Sequence, residues 1–292
     1  MSINRQNLTV IIVSFKSEHV IYDCIDSIDK DLKIIVIENS NDQIFVEKLE
    51  TKYENVKCIL SHKNLGMGAG NNLGIKNVIS DYALILNPDV VLKKNTIEEI
   101  IFASKNLSDF AVISPMSNQN WNPNYKLKKY NIHNKIYPFE VDSVDGFAML
   151  LNLKKLKKLN GFEFFDENYF LYLENDDLCK ELKNRNEKIF VVPKSIIQHI
   201  GASAVNPIYK EEIELSRNWH WMWSKFYFNK KHYGYLNAVG KILKNLISAV
   251  VKYLFYLVIF KKNKKKKYQM RLSGLYNSMI GKKSFYRPSI DN

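Results

Sequence analysis

Residues 84–92 read LILNPDVVL, and the fold turns on how that stretch ends. An apolar run of strand character stops at Asn87, Pro88 and Asp89. Proline has no N–H for a sheet ladder, so the strand ends and the chain turns. An amide and a carboxylate at alternate positions are thereby delivered to one edge of whatever sheet this strand joins. Asn-Pro-Asp is also an ordinary turn, so its surroundings decide.

Four further β-branched runs accompany it: LTVIIVSF (8–15), KIIVI (33–37), VKCIL (56–60) and FAVIS (110–114), with YALIL (82–86) as the fourth in order. Segments of helical period separate them, such as HVIYDCIDSID and NNLGIKNVIS. Strands alternating with helices predict an α/β, Rossmann-like, mostly parallel sheet with helices on both faces. Ligands of such sheets sit at the carboxyl ends of the strands. The loops there are polar throughout: SFKSE, ENSND, SHKNLGMGAGNN and NPDV. Any one of them reads as an ordinary loop, but four at one edge favour a nucleotide-type ligand.

The glycine-rich stretch NLGMGAGNNLG (64–74) does not match a dinucleotide fingerprint. Its spacing is Gly-x-Gly-x-Gly and it follows the third strand instead of the first. It still suits close approach to a sugar or phosphate at a helix start. Residues 120–152 lose periodicity and read as a long loop with a hairpin, closing on the buried strand DGFAMLLN. A short Lys/Leu helix to Leu159 follows, with a turn at Asn160–Gly161. A helix is expected over 174–185, then two extended pieces, KIFVVP and SIIQHIG. In the latter, His199 ends an apolar run; a lone histidine is usually structural, but an imidazole sharing one Mn²⁺ with Asp89 is reasonable chemistry.

Net charge is +13, yet from Lys225 onward 16 Lys and Arg face Asp291 alone, so the rest of the chain is close to neutral. This separates residues 1–225 from a basic C-terminal helical segment, 226–292. Within the latter, 236–260 shows a broad apolar face (Leu243, Leu246, Ile247, Val250, Val251, Leu254, Val258) and a polar stripe (Lys241, Asn245, Ser248, Lys252). Its uncharged run YLFYLVIF is too short to span a bilayer. A helix lying in the membrane interface fits better, with KKNKKKK attracting anionic headgroups. The alternative is a core-packed helix with a solvated basic tail. No nucleic-acid-reading motif accompanies the charge. Three scattered cysteines and no Cys-x-x-Cys argue against disulfides and structural zinc and suit a reducing cytoplasm. The apolar N-terminal run lacks a cleavage site and reads as a strand, not a signal peptide.

Taken in order, VIIVSF, VIENSND, NLGMGAGNN, LILNPDV, DGFAMLL, FDENYFLYLENDDLC and HIGAS resemble the family 2 inverting glycosyltransferases, in particular the rhamnosyltransferase-like branch that builds bacterial surface polysaccharides. The resemblance covers roughly residues 8–205. It implies a GT-A fold, a nucleotide-diphospho-sugar donor (dTDP-rhamnose, with UDP-hexoses close behind) and Mn²⁺ or Mg²⁺ as cofactor. It also implies a lipid-linked or oligosaccharide acceptor, no nucleic acid, and a cytoplasmic position on the inner face of the membrane. Ser14 and Phe15 would line the nucleobase pocket, and Glu38, in place of the usual Asp, would bind base or ribose. Asn64 and Gly66 would border the donor; Asn87 and Asp89 match the Asp-x-Asp motif, with Asp89 and His199 as metal ligands. Asp145 and Gly146 would line the donor–acceptor junction.

The family commonly reads Glu-Asp-x-Asp-Leu-Cys where this chain has Glu174, Asn175, Asp176, Asp177, Leu178 and Cys179. The base is usually the second residue, and here it is an amide. Glu174 is favoured as its replacement, then Asp176, with Asp177 capping the helix or holding the acceptor. Asn175 keeps alive a catalytically silent nucleotide- or glycan-binding protein. A nucleotidyltransferase is the other alternative, weakened by the lack of Gly-x-x-x-x-Gly-Lys.

Overall fold

Every strand of the first half that alternation predicts is present in the computed structural model, which describes residues 2–107, 109–118, 123–127, 136–201 and 203–290. The chain forms two compact units, 1–166 with 175–206 and 167–174 with 207–292.

In the first unit β1 (Leu8–Ser14), α1 (Glu18–Asp26), β2 (Lys33–Glu38), α2 (Gln43–Lys52), β3 (Val56–Leu60), α3 (Met67–Lys76) and β4 (Tyr82–Leu86) alternate as expected. Then come β5 (Val90–Leu92), α4 (Thr96–Asn106), β6 (Val112–Ser117), β7 (Tyr125–Lys126), β8 (Phe139–Glu140), β9 (Ser143–Val144), β10 (Ala148–Asn152), α5 (Leu153–Leu156), α6 (Glu174–Asn184) and β11 (Ile189–His199). Among the described residues the main sheet runs β3-β2-β1-β4-β10-β6-β11-β5, with β8 pairing β11. β1 to β4 are parallel neighbours, whereas β10 lies antiparallel between β4 and β6. In the expected hairpin region β7 pairs β9 antiparallel; residues 119–122 and 128–135 of that loop lie outside the described residues.

Because successive strand residues face opposite sides, the sheet carries two cores. Val10, Ile12, Ile34, Val36, Leu84 and Leu86 pack with α1, α2 and α4. Ile11, Val13, Ile35, Ile37 and Ile85 pack with α3 and α6 on the other side. Burial on both faces explains why the strands are continuous apolar runs.

The two extended pieces around Pro193 are a single strand, β11. Its pairing with β6 slips between Val192 and Ile196. Proline cannot extend the ladder, so the irregularity sits where its missing N–H costs least. Beyond the bulge β11 pairs antiparallel with β5, His199 opposite Val90.

The second unit contains α7 (Lys210–Tyr233), α8 (Tyr235–Val258) and α9 (Lys262–Met279). Position 225, where the charge changes, lies inside α7, and the structural division falls between Asn206 and Pro207. Met222, Phe226, Ala238, Ile242 and Leu275 form a core shared by the three helices. At the α7–α9 crossing a Cβ on Gly274 would stand 2.1 Å from the Trp219 carbonyl oxygen, so only glycine permits this approach. His220 is fully buried there. Its Nε2 meets the Tyr286 carbonyl oxygen at 2.9 Å, which can only accept, so Nε2 carries the proton and Nδ1 accepts from Ser284 Oγ at 2.9 Å. Burial depresses the ring's pKa to about 3, the Arg287 charge adding to this while the Tyr286 bond opposes it. The lysine-rich stretch is the start of α9 and not a free tail. Lys266 and Lys267 pair with Glu212 and Glu214 of α7, and Lys264 lies over the Tyr256 ring of α8.

Candidate active site

The ends of β1, β2 and β3 are bound into one polar platform. The Asn39 N–H donates to the Ser14 carbonyl at 2.8 Å, and the Lys16 N–H to Ser40 Oγ at 3.0 Å. Asn39 Nδ2 donates to Asn64 Oδ1 and to the Gly66 carbonyl, both at 3.2 Å, while its Oδ1 accepts from Leu65 N–H and Ser61 Oγ. Asn64 Oδ1 also accepts from Gly66 N–H at 3.0 Å. Asn39 is therefore the hub of three loops, a role its sequence position does not announce. Asn64 and Gly66, expected beside the donor, are indeed at this edge. Gly66 has φ +82°, a conformation costly for any side chain, and starts α3.

Two glycines of the same stretch serve packing. A Cβ on Gly70 would lie 2.9 Å from Val13 Cγ1, and one on Gly74 2.5 Å from Ile11 Cγ2. They let α3 lie directly on β1.

Glu38 is fully buried, and its carboxylate accepts from Ser40 N–H and Oγ and from Asp42 N–H. Three donors satisfy the charge. The carboxylate expected to meet base or ribose is spent on shaping its own loop. Phe15 is half-buried, its N–H bonded to Ser17 Oγ at 3.1 Å. Ser14, by contrast, is fully buried with its Oγ lacking any hydrogen-bond partner among the described residues; buried Asn71, midway along α3, has an Oδ1 in the same state.

Beside them the Asn-Pro-Asp turn closes with Val90 N–H on the Asn87 carbonyl, and Asn87 N–H donates to the Phe147 carbonyl at 2.9 Å. Asn87 Oδ1 and Asp89 Oδ1 are both buried without a hydrogen-bond partner among the described residues. Asp89 Oδ2 accepts from Ser203 N–H at 3.3 Å. The β5–β11 pairing brings His199 alongside: its Nε2 is 3.5 Å from Asp89 Oδ1. Phe147 stacks on the imidazole, ring centroids 3.9 Å apart, and holds its plane. Sequence reasoning named Asp145 and Gly146 but not Phe147; an aromatic directly after Asp-Gly at a strand start was the available signal. Two unpartnered oxygens and an imidazole are a donor set that fits a hard divalent cation such as Mn²⁺ or Mg²⁺.

The acidic cluster opens α6 as expected, but its members differ. Asp176 accepts from Lys126 Nζ with both oxygens, at 2.6 and 2.7 Å, and from Ser143 Oγ at 2.7 Å. Asp177 is buried at 2% exposure. Glu174, the first residue of α6, is buried and groups with the second unit. Asn175 Nδ2 donates to the Val144 carbonyl at 2.8 Å, and a Cβ on Gly146 would stand 3.0 Å from Asn175 Cβ. Half-buried Asp145 lies between these residues in the chain, its N–H on the Asn124 carbonyl at 2.9 Å. Burial raises its carboxyl above the ordinary value, Asp176 adding to the rise and the Lys126 and His199 charges opposing it.

The family model for glycosyl transferase family 2 matches residues 9–160. The low-salt glycan biosynthesis hexosyltransferase Agl10 of Haloferax volcanii is 23% identical, over 63% of this chain and 64% of that protein. The rhamnosyltransferase WbbL of Escherichia coli is 27% identical, over 63% of this chain and 80% of its own length. The chain thus spans just under two thirds of the first relative. Solved structures share the fold. GalNAc-T7 with UDP, GalNAc and Mn²⁺ superposes with a TM-score of 0.56 at 14% identity, over 77% of this chain and 51% of that one. The mannosyltransferase PcManGT of Pyrobaculum calidifontis, with GDP-Man and Mn²⁺, gives 0.55 at 10% identity, over 94% and 87%. These are glycosyltransferases of the GT-A type, and the mostly parallel sheet of this chain is theirs in outline.

Proposed function

The chain belongs to glycosyl transferase family 2, and on that premise we propose that it transfers a hexosyl or rhamnosyl group, with inversion, from a nucleoside-diphospho-sugar to a lipid-linked or growing glycan. The observation that carries the reading is the pair of buried, unpartnered oxygens, Asn87 Oδ1 and Asp89 Oδ1, with His199 against them at the carboxyl edge of the sheet. Buried polar atoms left without partners cost about 1–3 kcal/mol each, and a ligand at this edge removes that cost.

Asp89 and His199, with Asn87 beside them, would hold Mn²⁺ or Mg²⁺, which supplies positive charge against the leaving diphosphate. Ser14 and Asn71 would meet the nucleotide, on the platform that Asn39 ties together. Phe147 fixes the imidazole plane. A carboxylate at the start of α6 or beside it takes the proton from the acceptor hydroxyl; Glu174, Asp176 and Asp177 are the candidates named by their motif. The relatives, a hexosyltransferase and a rhamnosyltransferase, support a hexosyl or a rhamnosyl donor.

The surface of α8 supports a site of action at an anionic membrane, on the cytoplasmic leaflet in this reading. Leu243, Ile247, Val251, Leu254 and Val258 form one exposed apolar stripe, Val251 at 58% and Val258 at 72% exposure, with Lys241, Lys244 and Lys252 exposed on the same helix. Leu246 turns inward onto the helical core. No helix of the described residues is long and apolar enough to cross a membrane. An apolar stripe edged by lysines suits the plane of the headgroups.

The test is a panel of nucleotide-sugars with Mn²⁺, a lipid-linked acceptor pool and mass-spectrometric detection of product. Release of nucleoside diphosphate from a donor supports the enzyme. Nucleotide binding without turnover of any donor supports the second reading, a silent binding protein, which the amide at position 175 favours.

A further inference from the structure

Resting on that reading of the same site, we propose that Asp145 is the general base of the transfer, and that Asn175 has become the residue that holds it. The corner where a base is expected offers several carboxylates; surroundings set Asp145 apart from Asp176 and Asp177, while Glu174, whose Oε2 is buried without a hydrogen-bond partner among the described residues, is separated from it by the variants below. Asp176 has both oxygens on Lys126 Nζ and one also on Ser143 Oγ, so accepting a proton means surrendering charge-assisted bonds. Asp177 is buried on α6. The Asp145 carboxylate makes no hydrogen bond or ion pair among the described residues and is partly exposed to solvent.

Its backbone is held at three successive residues. Asn175 Nδ2 donates to Val144 C=O, Asp145 N–H donates to Asn124 C=O, and Gly146 lies against the Asn175 side chain with no room for a Cβ beyond 3.0 Å. Asn124 is itself locked, accepting from Ser117 N–H at 3.0 Å and donating to the Pro115 carbonyl at 2.8 Å. An ionised aspartate at 175 has no N–H to give Val144. The amide that removes one base is therefore what positions the neighbouring loop that bears another. Partial burial, with Asp176 close by, also makes the Asp145 carboxylate a better proton acceptor than an exposed one.

In the step, the acceptor hydroxyl oxygen forms its bond to the anomeric carbon from the face opposite the diphosphate. Its proton passes to the Asp145 carboxylate. The bond from the anomeric carbon to the diphosphate oxygen breaks, and the electron pair leaves with the nucleoside diphosphate.

Asp145→Asn, Asp176→Asn and Glu174→Gln are to be compared for nucleoside-diphosphate release and sugar transfer with the best donor of the panel. UDP affinity in the presence of Mn²⁺ is measured by calorimetry on each. Asp145→Asn is expected to lower kcat by about 10²–10⁴-fold while UDP affinity stays within about twofold, the other two variants losing clearly less. The retained UDP binding shows that the variant is folded. The proposal is overturned if Asp145→Asn stays within about tenfold of wild type, if Glu174→Gln or Asp176→Asn loses as much, or if UDP affinity falls in step with rate. A wild-type chain that binds UDP yet turns over no donor sinks the transferase reading itself, and this proposal with it.

Discussion

The carboxyl edge of the sheet and the outer face of α8 break opposite rules. At the sheet edge, Ser14 Oγ, Asn71 Oδ1, Asn87 Oδ1 and Asp89 Oδ1 are buried polar atoms without a hydrogen-bond partner among the described residues. On α8, Leu243, Ile247, Val251, Leu254, Phe255 and Val258 are apolar side chains left largely exposed among the described residues. The first kind of exception costs about 1–3 kcal/mol per atom. The second forgoes a similar amount per side chain, about 1.5–3 kcal/mol for full burial. Neither kind of exception is confined to these places, but here they cluster: four unpartnered atoms from β1, α3 and the Asn-Pro-Asp turn, and a continuous stripe on one helix. In the proposed function the first is completed by a polar, charged ligand and the second by lipid.

Asp89→Ala is the largest blow to this contrast. It removes the carboxylate that faces His199, and Mn²⁺-dependent UDP binding is expected to fall at least about 100-fold by calorimetry. Unchanged affinity would detach Asp89 from the metal. On the other unit, Val251→Glu with Leu254→Glu is expected to weaken binding to phosphatidylglycerol vesicles about 100-fold in flotation assays. These positions lie outside the helical core, so melting should be unaltered; truncating the helix would instead strip cover from Met222 and Phe226. Equal binding by the double variant would break the lipid side of the comparison.

Gly274→Ala sharpens it by showing how tightly the helices behind α8 are fixed. A methyl 2.1 Å from the Trp219 carbonyl forces two backbones apart, and a loss of about 3 kcal/mol is expected in urea unfolding. A loss under about 1 kcal/mol would mean the crossing yields. The smallest effect concerns His220, which is neutral when folded, with a pKa of about 3. The unfolded ring takes up a proton below about 6.5, so stability is full above that pH and declines as pH falls towards 3. About 2 kcal/mol is lost between pH 7 and pH 5, and His220→Gln should flatten that slope. A parallel slope in the variant would assign the acid sensitivity elsewhere.

How far all this was legible depends on the distance over which a residue acts. β1 to β4, β10, α6 and the apolar stripe of α8 follow from local periodicity, and each stands where its pattern puts it. Asp89 and His199 were named as one site, and the β5–β11 ladder brings them within 3.5 Å. What local reading missed were groups whose partners come from afar. Glu38 is consumed by Ser40 and Asp42, Asn39 spans to Asn64, and Phe147 stacks on a histidine 52 residues further along the chain. Lys266 and Lys267 looked like free charge, yet they meet glutamates on α7. Pro193 looked like a break, because a bulge and a chain break read alike until the neighbouring strand is known.

That bulge has one more consequence. β11 pairs with β6 on both sides of the irregularity at Val192–Ile196 and with β5 only beyond it, so the residues between act as a counting device for everything downstream. A single-residue deletion at 193–195 leaves the pairings of β1 to β4 in place, yet turns His199 to the opposite side of the strand. The fold would survive such an indel while the imidazole vanished from the cation's reach, an error of phase that composition and circular dichroism alike would overlook.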